Sequence, residues 1–267
     1  MPVPRRSDVT DVPSQPSVSV EGKTAVLIGA TSGIGRGIAR GFAADGADVI
    51  ATSRSPDRVR STANELAELG AETLEVTCDV TVPSEIRDLR TAVMQAFDGV
   101  DVMVYAPSYI ARQGVIEAEG DEWRRVFDVH LHGAHRATQE FGAIMETGSI
   151  IHIASASAKT AIPQLAAYSA AKGGLDTYIR VAADELGPDL RVNGIRPGFI
   201  RSAQTAGTYT EGEPRFETIK RRTTQGRLGR PDEIVGAAIY LASDAASYTT
   251  GEIITVDDGF ISATFEQ

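Results

Sequence analysis

From Gly22 onward the chain alternates short apolar runs with longer stretches whose apolar residues recur every three or four positions. Lys23–Ile28 predicts a strand and Ile34–Ala44 the helix after it; Asp48–Thr52 and Pro56–Leu69 repeat the pair. Thr73–Thr77, Pro83–Phe97 and Val100–Tyr105 continue the alternation. A helical stretch at Asp121–Met145 precedes a strand at Ser149–Ala154, and a small-residue helix at Ala166–Leu186 precedes a strand at Leu190–Ile195. A helix near Pro231–Leu241 and a strand at Glu252–Val256 close the pattern. Several of these strands are apolar at nearly every position, as parallel strands covered by helices on both faces must be. Strand–helix alternation without a break in composition predicts an α/β chain with one doubly wound parallel sheet of about seven strands.

The first 21 residues do not share the pattern. Pro2, Pro4, Pro13 and Pro16 interrupt any helix and no apolar core segment appears, so this stretch reads as a disordered or loosely ordered tail before a single domain over 22–267. It has no apolar h-region, and Asp8 and Asp11 count against a transit peptide. The 267 residues are 42% hydrophobic and 23% charged, which excludes collagen-like and disulfide-stapled classes. A lone Cys78 forbids an intrachain disulfide and suits a reducing cytoplasm. The net charge of −10 argues against nucleic acid as a partner. No apolar run approaches the ~20 residues of a membrane span.

Chemistry enters at the carboxyl ends of the expected strands. Gly29-Ala-Thr31-Ser32-Gly33-Ile34-Gly35 lies between the first strand and its helix. Glycines there permit a tight turn and let backbone amides and the helix N-terminus approach a pyrophosphate, giving the sheet a Rossmann-type nucleotide end. A plain strand-to-helix turn is the bland alternative. The second strand ends in Ala51-Thr52-Ser53-Arg54, with no acid to bond a free ribose 2′-hydroxyl. Arg54 can instead pair with a 2′-phosphate, which favours NADP(H) over NAD(H), unless it merely reaches out from its loop. After the third strand, Asp79 offers an acceptor for the adenine amino group or else caps the helix near Pro83; Val80 follows it.

Tyr168 and Lys172 stand four residues apart, on one face of one helix. A free phenol, with a pKa of about 10, is a poor base near neutrality. A neighbouring ammonium favours the phenolate and is expected to bring Tyr168 toward the working range of a general acid/base. Ser155 ends the Ser149–Ala154 strand on the edge where ligands bind, placed to bond a substrate oxygen.

On these motifs, together with Arg191-Val-Asn-Gly-Ile-Arg-Pro197-Gly198 and Tyr248-Thr-Thr-Gly251…Val256-Asp-Asp-Gly259, the chain resembles the short-chain dehydrogenases/reductases over Gly22–Phe260. The resemblance implies hydride transfer at a nicotinamide coupled to proton transfer at a carbonyl or alcohol oxygen of a small molecule. It implies that Lys172 also binds the nicotinamide ribose, and that Pro197, Gly198 and Ile200 line the nicotinamide, with Ser202 where threonine is usual. It also implies a cytoplasmic homotetramer built partly on the small-residue helix. The run from Gly226 to Ser243 is similar to gluconate 5-dehydrogenase and 3-oxoacyl reductase relatives.

Two departures from the family pattern stand out. Tyr105-Ala106-Pro107-Ser108 replaces Asn-Asn-Ala-Gly, so Ala106 meets the cofactor beside a proline with no backbone donor. His130 replaces the asparagine that holds a water in the proton relay; imidazole can take over that task, or the position has become a packing one. The alternative reading, a nucleotide-binding protein with weak or no turnover, rests on these two changes. His132 and His135 lie near His130, but His130 and His132 point to nearly opposite sides of a helix, and no metal is expected. The segment near 199–230 reads as a substrate lid. Seven basic residues against three acids suggest that it faces an anionic substrate, a sugar acid or an acyl carrier. Tyr105, Tyr109, Phe199 and Tyr209 are expected to add aromatic surface to the pocket.

Overall fold

Alternate residues of each strand feed opposite faces of one sheet. Ala25, Leu27, Val49, Ala51, Val102, Val104, Ile151 and Ile153 point into one apolar layer, and Val26, Ile28, Ile50, Met103, Tyr105 and Ile150 into the other. The computed structural model describes residues 16–202, 205, 207 and 209–262. Among them are six strands: β1 (Thr24–Ile28), β2 (Asp48–Thr52), β3 (Val102–Tyr105), β4 (Gly148–Ile153), β5 (Leu190–Pro197) and β6 (Ile253–Val256). All pair in parallel, in the order β2-β1-β3-β4-β5-β6.

Helices α1 (Gly33–Ala44), α2 (Pro56–Glu68) and α8 (Val235–Ala242) cover the first face through Ile38, Phe42, Leu66 and Leu241. Helices α3 (Pro83–Ala96), α5 (Gly133–Gly142) and α6 (Ala166–Leu186) cover the second through Leu89, Val93, Phe141, Leu175 and Ile179. No described helix is long and apolar enough to cross a membrane. The chain reverses its winding between β1 and β3, and at such a switch point the loops leave a crevice beyond the carboxyl ends of the strands.

Several boundaries differ from expectation for visible reasons. The seventh strand, Thr73–Thr77, is not formed. That segment runs beside β2, but among the described residues their backbone bonds are Val49 N–H to Glu72 O and Cys78 N–H to Ser53 O, at its two ends; the Glu72 amide donates to the Asp48 carboxylate and the Thr52 hydroxyl to Val76 O in place of ladder bonds. The helix expected over Asp121–Met145 divides into α4 (Gly120–Phe127), a π-turn at Asp128–His132 and α5. The Tyr105 hydroxyl donates to Val129 O inside this widened turn at 2.6 Å and leaves no room for a Cβ at Gly133. Tyr105 is therefore a core residue, 1% exposed, and adds nothing to the pocket surface expected of it. The last expected helix begins as a short 3₁₀ turn, Pro231–Ile234, before α8.

Residues 1–15 of the expected tail lie outside the described residues. Packing begins before its expected boundary, since Val20 is fully buried and Asp45 accepts from the Ser19 hydroxyl and the Val20 amide. Within the expected lid, α7 (Pro214–Arg222) packs Phe216 and Ile219 against Tyr209, Leu228 and Phe199. The lid's base is pinned where Arg201 N–H donates to Gly229 O and Gly229 N–H to Phe199 O.

Candidate active site

One crevice at the carboxyl edge of the sheet collects the chemical residues. Its floor is the turn after β1, where Gly29, Thr31, Ser32, Gly33, Ile34 and Gly35 all reach the wall. Gly29 has a φ of +76°, and a Cβ there would stand 2.5 Å from Pro107 N; a Cβ at Gly35 would stand 2.6 Å from Gly29 O. The turn therefore packs on itself and on Pro107 more closely than any side chain permits. Ser32 precedes α1 without a side-chain capping bond, and the first turn of α1 carries no acid. The first amides of α1 thus lack a side-chain partner at the positive end of the helix, which suits a pyrophosphate. A dinucleotide fits this cradle.

Beyond β2 the crevice continues past the next loop. Ser53 accepts a 2.7 Å bond from Thr31, and Arg54 reaches the wall with its Nη1 3.8 Å from Asp79 Oδ2. Arg58, one turn into α2, joins it there. Sequence reading missed Arg58, although its spacing from Ser55, the N-cap that accepts its amide, would have pointed to it. The N-cap of α3 is Val82, with no side-chain bond, so the capping role expected as an alternative for Asp79 is not filled. Asp79 Oδ1 accepts from the Thr81 amide and hydroxyl ahead of α3, and Oδ2 remains on the crevice side. Val80 and Cys78 complete this end; burial, with Glu85 and Asp79 nearby, pushes the Cys78 thiol up to about 12 and leaves it inert.

Pro107 costs the sheet less than its missing amide suggests. The bond that extends β3 beside β1 comes from the Ala106 amide to Ile28 O at 2.9 Å, and Pro107 packs flat against Gly29. Ala106 reaches the wall, as do Pro197, Gly198, Ile200 and Ser202 on the far side.

The proton-handling groups meet at the middle of the crevice. Ser155 Oγ accepts from the Ser157 amide at 3.2 Å and from the Ser157 hydroxyl at 3.0 Å. With its acceptor sites filled, its own hydrogen is left to donate, and the Tyr168 hydroxyl is within its reach. Tyr168 and Lys172 follow on α6, both on the wall. Lys172 Nζ donates to Ile153 O at 2.5 Å and lies 5.8 Å from the Tyr168 ring centre. Burial draws the Lys172 ammonium down to about 7, with Asp176 one turn along opposing it. Tyr168 corrects the expectation made for it. Burial raises its pKa, the Ser155 hydroxyl pulls it back, and Tyr209 raises it further.

His130 does not reach the crevice. It is fully buried in the π-turn, with its ring edge-on to that of Tyr168 at 4.9 Å and Nε2 2.8 Å from Tyr109 O. Burial and the Lys172 charge push its pKa well below 6.5. His132 and His135 are engaged elsewhere, with Asp128 at 2.8 Å and the Tyr178 hydroxyl at 3.3 Å. The other end of the crevice is lined by Tyr109, Ile162, Leu165, Phe199 and Tyr209, with two arginines, Arg112 and Arg125, that sequence reading did not single out.

A family model described as enoyl-(acyl carrier protein) reductase matches residues 29–261. The 2-dehydro-3-deoxy-D-gluconate 5-dehydrogenase of Pseudoalteromonas atlantica is 35% identical over 248 residues, covering 91% of this chain and 97% of that protein. The 3-oxoacyl-(acyl-carrier-protein) reductase of Thermotoga maritima is 32% identical over 246 residues, covering 91% and 99%. A crystal structure with bound NADP, described as an NAD(P)-dependent gluconate 5-dehydrogenase from Beutenbergia cavernae, superposes with a TM-score of 0.86. It is 35% identical and covers 92% of this chain and 99% of its own. Cradle, crevice and these likenesses agree: the chain belongs to the short-chain dehydrogenase/reductase family, NAD(P)-dependent enzymes that act on CH–OH groups.

Proposed function

We propose that this enzyme interconverts a carbonyl and a secondary alcohol with NADP(H), on an anionic substrate of the sugar-acid or acyl type. The observation that carries the reading is the convergence of Ser155, Tyr168 and Lys172 on the wall that also bears the α1 cradle. The α1 amides and Gly29–Gly35 would hold the pyrophosphate, Ser53, Arg54 and Arg58 the 2′-phosphate, and Asp79 and Val80 the adenine. Pro197, Gly198, Ile200 and Ser202 would flank the nicotinamide, beside Ala106, with Lys172 on its ribose. The bound nicotinamide supplies or accepts the hydride.

The residues of the chain handle the oxygen. Ser155 donates its one free hydrogen to the substrate oxygen and fixes the reacting carbon's orientation. Tyr168, kept protonated by burial, gives its proton to the developing alkoxide and takes it back in the reverse direction. Lys172, poised at about 7, carries positive charge beside the phenolate when the proton has left. His130 holds the Tyr168 ring from behind and acts as a positioning residue. The intact serine, tyrosine and lysine oppose the reading of a binding protein without turnover. The family resemblance supports a homotetramer built partly on the small residues of α6.

The test is NADPH oxidation against a panel of keto acids, keto-acyl thioesters and cyclic ketones. Tyr168→Phe lowers turnover by about 10²- to 10⁴-fold. Arg54→Gln with Arg58→Gln raises the KM for NADPH and leaves that for NADH in place. Undiminished turnover in Tyr168→Phe refutes the mechanism, and an unchanged cofactor preference refutes NADP(H).

A further inference from the structure

The chain carries a net charge of −10, yet among the described residues its crevice is lined by five cations, Arg54, Arg58, Arg112, Arg125 and Lys172, and by one carboxylate, Asp79. Arg54, Arg58 and Lys172 have partners in the cofactor reading above. Arg112 and Arg125 stand at the other end and have none. Much of the lid's own charge is spent elsewhere: Arg222 lies 4.5 Å over Phe260, and Arg227 and Arg230 pair with Glu233 and Asp232. Two cations left on the crevice wall of an acidic protein point to an anionic ligand.

Arg125 is the one held in place. Its guanidinium lies 4.2 Å over the Tyr109 ring, which also reaches the crevice wall. That ring is fixed from two sides. Its hydroxyl donates to Glu122, one turn before Arg125 on α4, and its backbone oxygen is 2.8 Å from Nε2 of the buried His130. The neighbouring Arg124 pairs with Asp121, whereas Arg125 has no ion pair among the described residues. A ring contact leaves N–H donors of the guanidinium fork for an oxyanion. Position favours the reacting end: Tyr109 and Tyr168 pack on the same small cluster, Val126 of α4 with Ala167 and Ala171 of α6. The Arg125 charge thus lies one aromatic ring aside from the catalytic hydroxyl's helix.

We propose that Arg125, steadied by Tyr109, recognises a carboxylate of the substrate and makes this enzyme selective for keto and hydroxy acids over neutral ketones and alcohols. The planar fork of arginine matches a carboxylate through paired bonds. Arg112, on the loop after β3, adds positive charge to the same end of the crevice. Tyr109 acts through Arg125 and is a positioning residue. This inference rests on the oxidoreductase reading above.

Two matched ketone pairs test it. 5-Keto-D-gluconate and L-sorbose differ only by carboxylate against hydroxymethyl, as do 4-oxocyclohexanecarboxylate and 4-(hydroxymethyl)cyclohexanone. The wild type is expected to favour the acid of a pair. Arg125→Gln lowers the acid-to-neutral ratio of kcat/KM by about 10- to 100-fold, through the KM of the acid, and Arg125→Lys restores part of it. Arg125 is exposed, so its variants keep their fold. Tyr109→Ala lowers the ratio by about 3- to 10-fold, but lowers it no further once Arg125 is glutamine, because the ring acts through the guanidinium. A wild type without preference for the acid, or Arg125→Gln losses that are equal on both members of a pair, overturn the assignment and leave the reductase reading intact. No NADPH oxidation with any ketone sinks the reductase reading instead. Arg125 is then judged by melting temperature with NADP present at matched ionic strength: D-gluconate should raise it more than D-glucitol, and Arg125→Gln should erase the difference. Equal shifts for the two ligands in the wild type overturn the assignment.

Discussion

Asp176 on α6 holds Arg196 on β5 at 2.5 Å, with both side chains almost wholly buried, one helical turn beyond Lys172. The pair joins the two elements that carry the chemistry. Arg196 immediately precedes Pro197 and Gly198 on the crevice wall and also donates to Thr255 on β6. Asp176 opposes the burial that draws the Lys172 ammonium down. The groups facing Lys172 from other elements, His130 on the π-turn and His152 on β4, are both held neutral. The carboxylate one turn away is then the charge that keeps Lys172 protonated near neutrality.

Replacing Asp176 separates these two roles. Asp176→Asn leaves Arg196 as a buried charge without its counterion and should cost roughly 3–5 kcal/mol of stability. It also removes the contribution that raises the Lys172 pKa. The alkaline limb of the pH–rate profile, where Lys172 loses its proton, should move to lower pH. Asp176→Leu with Arg196→Met restores much of the stability, because an apolar pair replaces a buried ionic one, but leaves the limb displaced. Urea unfolding and a pH–rate profile measure the two effects. An unmoved limb in both variants would show that Asp176 only braces the fold.

His130 gives a second prediction. A relay group titrating near 6.5 would write its own limb into the profile, but His130 is held neutral and lies behind Tyr168, away from the crevice. His130→Ala should therefore leave the shape of the profile unchanged. It should lower kcat by about 2- to 10-fold as the edge-to-face support of the Tyr168 ring, worth ~0.5–1.5 kcal/mol, is lost. An acid limb that vanishes in the variant would restore the relay reading.

The legible part of the protein was the part fixed by local spacing. Gly29, Gly33 and Gly35, and Tyr168 with Lys172, owe their role to turn and helix geometry, and each reached the crevice as the spacing required. Tyr105 did not. The same four-residue motif that looked like a cofactor loop places its tyrosine on the inward face of β3, and only the partner element, the π-turn, shows where its hydroxyl goes. Arg112, Arg125 and Arg58 were invisible for a related reason. Exposed arginines are common on loops and helix faces, and their meaning comes from what stands opposite in space. The depressed Lys172 ammonium was hidden as well, because desolvation depends on how many layers cover a side chain, which four-residue spacing does not encode.

Burial of histidine makes acid stability the third test. His152, in the middle of β4, is fully buried, packs against Tyr105 and Tyr178, and shares a 3.1 Å bond with the Thr138 hydroxyl. Burial, reinforced by Lys172, draws its pKa from 6.5 to about 3. The unfolded chain takes up this proton near 6.5, whereas the folded one refuses it until about 3. Between those values the unfolded state binds more protons, so stability falls as the pH is lowered through that window. Lys172 acts in the same sense on the alkaline side, where stability should rise between about 7 and 10.5. His152→Leu removes the acid contribution. Thr138 keeps its bond to Ala134 O, so the substitution leaves that hydroxyl partnered. The melting temperature of His152→Leu should therefore decline less steeply than wild type from pH 6.5 toward 4, with the shared carboxylates giving both proteins the same background. Parallel curves would mean that His152 charges without resistance in the fold, which the enclosure by Tyr105, Tyr178 and Thr138 forbids.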